Sequence, residues 1–145
     1  MSYASFQEQY ASGTAGLTPA TGFNQSMLNT TVANTVGATL ASGQVTLQPG
    51  KYWIEGIANT NGKRAQTALW DFTNNVALLN GVNAGGFLAG PGYASNANSQ
   101  VSGPITLLSP TAVGLNIFVE SGGVAPDPVT SGQPEVYAQL TIIQF

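Results

Sequence analysis

Gln44-Val45-Thr46-Leu47-Gln48-Pro49-Gly50-Lys51-Tyr52-Trp53-Ile54-Glu55-Gly56-Ile57-Ala58 is the stretch that decides the fold. It opens with a short strand and turns at Pro49-Gly50, where Pro fixes φ and Gly accepts a positive one. A longer strand follows. Tyr52, Ile54, Gly56 and Ala58 fall on one face of it, and Trp53, Glu55 and Ile57 on the other, the period of two that a β-strand imposes. Asn61-Gly62 then predicts a tight hairpin. Its return strand covers residues 63–73, with Ala68, Trp70 and Phe72 alternating against Thr67, Leu69 and Asp71.

The same pattern extends in both directions. Upstream, strands are predicted near residues 3–10 and 25–33, separated by a Gly/Thr/Pro-rich loop. Downstream, Asn74-Asn75 forms a turn before a strand from Val76. Residues 81–98 read as a long loop pinned by Phe87, Leu88 and Tyr93. Strands follow near residues 100–108, 112–120 and 135–145, with a Gly/Pro-marked loop at 121–134. No window holds a 3.6-residue apolar period that Gly or Pro leaves intact. Eight to ten short strands with turn-rich spacing predict an all-β, antiparallel, two-sheet jelly-roll sandwich spanning residues 1–145 as one domain.

The last strand carries apolar residues on both faces. Val136, Ala138, Leu140 and Ile142 form one; Tyr137, Ile143 and Phe145, with Thr141, form the other. A strand apolar on both sides is covered on both. In a two-layer sandwich the second cover is another subunit, so Tyr137, Ile143 and Phe145 are the candidate interface of a homotrimer. Composition points the same way. Charged residues are 6% of the chain, against about 25% in an ordinary soluble domain. So few charges give little protection against self-association.

Composition also excludes. The 145 residues contain no Cys and no His. That removes disulfides, thiolate and imidazole metal sites, the Ser-His-Asp triad and the commonest general base. Three basic residues against six acidic ones make no footprint for nucleic acid. No apolar run approaches the roughly 20 residues of a membrane-spanning helix, and the first residues carry no secretory-signal pattern. Gly85-Gly86 and Gly90-Pro91-Gly92 lack the Lys and helix of a phosphate loop.

Three weak candidates for chemistry remain. Glu55 and Asp71, on strands joined by the expected hairpin, form a carboxylate pair of the kind a glycosidase uses; the plainer reading is a solvated face or partners for Lys51 or Lys63. Asp127 between Pro126 and Pro128 has no second acid near in sequence for calcium, and reads as part of a rigid loop. Trp53 and Trp70 are expected to face the core or a subunit boundary. The reading is therefore of a protein that is no enzyme and needs no cofactor.

Taken in order, Leu28-Asn29-Thr30, Leu40-Ala41-Ser42-Gly43-Gln44-Val45-Thr46-Leu47-Gln48-Pro49-Gly50-Lys51-Tyr52, Lys63-Arg64-Ala65-Gln66-Thr67-Ala68-Leu69-Trp70-Asp71-Phe72-Thr73 and Glu135-Val136-Tyr137-Ala138-Gln139-Leu140-Thr141-Ile142 resemble modules of tailed-phage virion proteins. These modules share the jelly roll of complement and tumour-necrosis-factor proteins, which assembles as compact trimers. The resemblance spans nearly the whole chain. It implies a virion structural protein on the outer surface of the capsid: a decoration (cement) trimer whose partners are itself and the major capsid protein. The alternative it leaves open is a receptor-binding fibre-tip or tail module that holds a host surface glycan or protein. This chain lacks the His usual near the basic loop tip and any upstream shaft, and the second departure favours the stand-alone decoration protein. On this reading residues 1–22 form an N-terminal arm. Tyr3, Phe6 and Tyr10 are its anchors on the capsid or a neighbour, and Lys63 and Arg64 form a partner-contact loop tip.

Overall fold

The computed structural model describes residues 1–60, 64–85, 97–121 and 125–145, and in these eleven strands form two antiparallel sheets. The first sheet runs β3 (Thr30–Asn34), β1 (Ser2–Tyr10), β11 (Glu135–Gln144), β6 (Gly50–Asn59), β9 (Asn98–Leu107). The second runs β4 (Thr39–Ala41), β5 (Gln44–Leu47), β10 (Thr111–Val119), β7 (Ala65–Asp71), β8 (Val76–Ala84). β2 (Gly22–Gln25) shares one edge of β10 with β5: it pairs along residues 116–119, and β5 along 111–113.

Alternating burial explains why these segments are strands. In β9 the residues Ser99, Val101, Gly103, Ile105 and Leu107 are buried, and the five between them are exposed. Pro104 is tolerated among the exposed ones because β9 is an edge strand, where no ladder hydrogen bond is needed from its nitrogen. Inward residues of both sheets meet in one core. Phe6, Ile54, Leu140 and Ile142 come from the first sheet, Val45, Leu47, Leu69, Val113 and Leu115 from the second. The sheets approach closely enough at two places to require glycine. A Cβ at Gly56 would stand 2.6 Å from Leu115 Cδ2, and one at Gly81 would stand 2.6 Å from the Thr67 carbonyl oxygen and closer still to that of Gln100.

Several sequence expectations are corrected. β6 and β7 form no hairpin, because they belong to opposite sheets. The actual hairpin is β7–β8, where the Asp71 carboxylate accepts from the Asn74 backbone N–H (2.9 Å) and side-chain amide (2.7 Å) and Asn75 takes a φ of 56°. The strand expected over 25–33 is two strands, β2 and β3, in different sheets, with Leu28 dropping into the core between them. β8 continues to Ala84, into the segment read as loop; Phe87, Leu88 and Tyr93 lie outside the described residues. Residues 2–10 are no arm. As β1 they pair with β3 on one side and β11 on the other, with Ala4 and Phe6 fully buried.

The final strand departs from its expected faces for a local reason. Glu8 pairs with Ala138 and Gln9 with Val136, so Tyr137 is the extra residue of a β-bulge. A bulge reverses the alternation on its far side. Tyr137 therefore turns inward and Val136 outward, 8% and 47% exposed. Beyond the bulge Leu140 and Ile142 point in, as expected, while Ile143 stays half-buried on the other face.

Candidate functional site

The outer face of the first sheet gathers several of the residues that the sequence singled out. Tyr3 pairs with Ile143, Ile143 with Trp53, and Trp53 with Pro104, so one row of outward side chains crosses β1, β11, β6 and β9. Each is placed there by its strand's alternation, with Ala4, Ile142, Ile54 and Ile105 facing the core beside them. Phe145, two residues beyond Ile143, is 73% exposed, and its backbone N–H donates to the Lys51 carbonyl at 3.1 Å. The result is an apolar margin at one end of the face.

The middle of that face is polar, with Glu55 its one charged residue. Gln9 donates to Gln7, Gln7 donates to Gln139 at 2.7 Å, and Gln139 donates to Thr141 at 3.3 Å. Glu55, Ile57, Gln100, Ser102, Gln139 and Thr141 line a shallow depression there. Glu55 accepts from the Trp53 indole N–H at 3.3 Å. Of the charged residues on these five strands only Lys51 and Glu55 are exposed. A surface so poor in charge is easily desolvated.

The second sheet carries a different feature. Phe23 on β2 pairs with Phe118 on β10, their rings 5.2 Å apart, and Phe23 also lies 4.9 Å from the Trp70 ring of β7. Phe23 and Phe118 are 56% and 42% exposed. The only charged residue on β2, β4, β5, β7, β8 and β10 is Asp71, which is buried at its turn. Residue-by-residue reading missed Phe23, which sits in a loop-like context beside Gly22. Phe118 carried a usable signal, its phase opposite the buried Val119.

Other predicted site residues separate. Phe6 is wholly buried and Tyr137 nearly so, so neither offers a surface to a neighbour. Tyr137 spends its hydroxyl on the Thr14 carbonyl (2.7 Å), and its ring lies 5.9 Å from Tyr10. Tyr10 donates to Glu8 at 3.1 Å; burial first, then that carboxylate, push its pKa up to about 12, so it remains a donor. Arg64 is exposed and ion-paired with Glu120 at 3.4 Å, and Lys63 lies outside the described residues. Glu55 and Asp71 stand on opposite sheets, one exposed and one buried, and form no pair. Trp53 and Trp70 are half-buried on the outer faces, not in the core. Among the described residues no group of three acids gathers for a metal, and Asp127 is exposed on its loop. Among the described residues no helix is long and apolar enough to cross a membrane.

No family model matches the sequence, and no curated protein matches it either. Solved structures match it in fold. The globular domain of zebrafish complement 1qA protein superposes with a TM-score of 0.58 at 16% identity, covering 100% of this chain and 98% of that one. Murine APRIL at pH 8.5 gives 0.60 at 9% identity, covering 99% and 98%. The fold is the complement/tumour-necrosis-factor jelly roll. At these identities the likeness is one of architecture alone, and the jelly roll itself sets no function.

Proposed function

We propose that this jelly roll is a non-enzymatic virion structural protein, a decoration trimer that clamps neighbouring capsid subunits of a phage head. The single observation that carries the assembly part is the row Tyr3–Ile143–Trp53–Pro104 on a face with one exposed Lys and one exposed Glu. Packing three such faces together removes apolar rings and neutral amides from water, with only Lys51 and Glu55 to be paired or kept at the rim. The virion part rests on the sequence motifs shared with tailed-phage modules. Such a protein works by mass action: a ligand that binds only the assembled shell stabilises it. A rigid sandwich loses little entropy on docking, so more of the contact energy survives as affinity. Mixing the purified protein with heads that lack it tests this. Stoichiometric binding with raised thermal stability supports decoration, and failure to bind contradicts it.

A second reading, a receptor-binding module, is favoured by the exposed Phe23–Trp70–Phe118 cluster. Its open rings lie beside Gln66, with the Arg64–Glu120 ion pair at the end of the same face, and suit the alternating CH and hydroxyl groups of a host glycan. Binding to host-surface glycans that Trp70→Ala abolishes, with no binding to heads, would select this reading.

A further inference from the structure

Where β1 and β6 end and β11 begins, the two sheets leave a cavity of about 170 Å³ between them. Its apolar lining comes from Leu17, Pro19, Ile117, Val119 and Pro126, and Leu17, at 54% exposure, marks its open rim. Glu8 also lines it. This glutamate occupies the inward phase of β1 that elsewhere holds Ala4 and Phe6, and it is 6% exposed. Its Oε2 accepts from the Ser26 hydroxyl at 2.6 Å and the Met27 N–H at 3.0 Å, and its Oε1 from the Tyr10 hydroxyl at 3.1 Å.

Those three donors are neutral. They orient the carboxylate but do not neutralise it, and among the described residues no cation pairs with it; a buried charge without a counter-charge is strongly unfavourable. A carboxylate offers about four acceptor positions, so Oε1 keeps capacity for one more donor. Among the described residues the single ion pair is Arg64–Glu120, and Lys51 stands at the opposite end of β6. Burial first, then the Glu135 and Asp127 carboxylates and last Glu8, raise the pKa of Tyr137, which lines the same cavity. The environment is acidic as well as apolar.

We infer that this cavity binds an alkylammonium group, its carbon stem against Leu17, Pro19, Ile117 and Val119 and its charged head on Glu8 Oε1. The size agrees: a cavity of about 150 Å³ accommodates a benzene-sized guest. An anion is repelled by the acids, and a neutral guest of the same size fits the walls but brings no counter-charge to Glu8. The inference does not depend on self-association or on any role at a capsid.

The test is a titration of the protein near neutral pH with n-butylammonium chloride and, separately, with 1-butanol, followed through the backbone amide signals of Ser26, Met27 and Val119. Saturable shifts with n-butylammonium are expected, with 1-butanol at least about tenfold weaker, the factor one charge-assisted contact supplies. Glu8→Gln should weaken n-butylammonium by about tenfold or more, with the circular-dichroism spectrum unchanged. Leu17→Lys, at the exposed rim, should weaken it through charge repulsion and keeps the test decisive if Glu8→Gln does not fold. The same titration with Nα-acetyl-lysine methylamide separates the sources. Binding assigns the site to a protein lysine, and its absence beside n-butylammonium binding assigns it to a free amine. Equal affinity for 1-butanol, no saturation with n-butylammonium, or undiminished binding by both variants would overturn the inference.

Discussion

Ile143 lies directly opposite Trp53 across the β11–β6 pair, and both side chains face away from the core. Tyr3 and Pro104 extend the same row to the strands on either side. Four apolar side chains in register on four adjacent strands form a patch, and patches of that kind on soluble domains mark interaction surfaces.

A charge placed in this row should disperse the assembly without unfolding the chain. Ile143→Lys is expected to weaken self-association by about 2 kcal/mol or more per interface, the scale of a central interface residue. The far-UV circular dichroism should not change. Sedimentation velocity across a concentration series reads the first effect.

Tyr3 and Phe6 should behave in opposite ways despite sitting three residues apart. Phe6→Ala removes a wholly buried ring and should lower folding stability by about 3–5 kcal/mol. Tyr3→Ala, half-exposed, should change the stability of the single chain by about 0.5 kcal/mol or less while loosening self-association. Chemical denaturation at low protein concentration, compared with sedimentation, separates the two.

Gly81→Ala should be strongly destabilising. The added methyl would meet the backbone oxygens of Thr67 and Gln100, which belong to β7 and β9 and have no flexible side chain to move aside. A loss of about 2–3 kcal/mol is expected. Gly85→Ala, where nothing lies within 4 Å, should stay within about 0.5 kcal/mol of the parent. Urea midpoints of the two variants compare them directly.

Glu135 supplies a pH dependence. Its carboxylate accepts the backbone N–H of Gly13 and that of Val129, each at 3.0 Å, and these two hydrogen bonds hold its pKa below the ordinary value of 4.5. A depressed folded-state pKa means the contribution is fully present above 4.5 and is lost as pH falls through the lower folded value. Acidification should therefore release residues 11–16 and 125–130 from β11. Urea titrations from about pH 6 to pH 3 should show a steeper acid loss for the parent than for Glu135→Gln.

Much of the fold was legible because alternation is a local property. The faces of Gln44–Leu47 and Gly50–Asn59 follow from the residues alone, since each strand has one greasy side. What alternation cannot encode is which sheet a strand joins. Asn61-Gly62 has good hairpin chemistry, yet β6 and β7 part to opposite sheets, and their inward residues Ile54 and Leu69 enter one core from its two sides and not along a shared ladder. The bulge at Tyr137 was equally hidden. Val and Tyr both suit strands, so nothing local says which of them is the extra residue.

The candidate surface was half legible for the same reason. Ile143 and Tyr3 were singled out separately, and only the register β1–β11–β6–β9 shows that they and Trp53 form one row. Glu8 gave no sign of its burial, because a glutamate at an inward position looks, in sequence, like any polar residue on a strand. Its partners Ser26 and Met27 come from the β2–β3 crossover, far along the chain.

The central claim is that the face bearing Tyr3, Ile143 and Trp53 joins three copies of this chain. Size exclusion coupled to light scattering tests it most directly. The account predicts a mass of three chains for the parent protein and of one chain for Ile143→Lys; a parent protein with the mass of a single chain at micromolar concentration would contradict it.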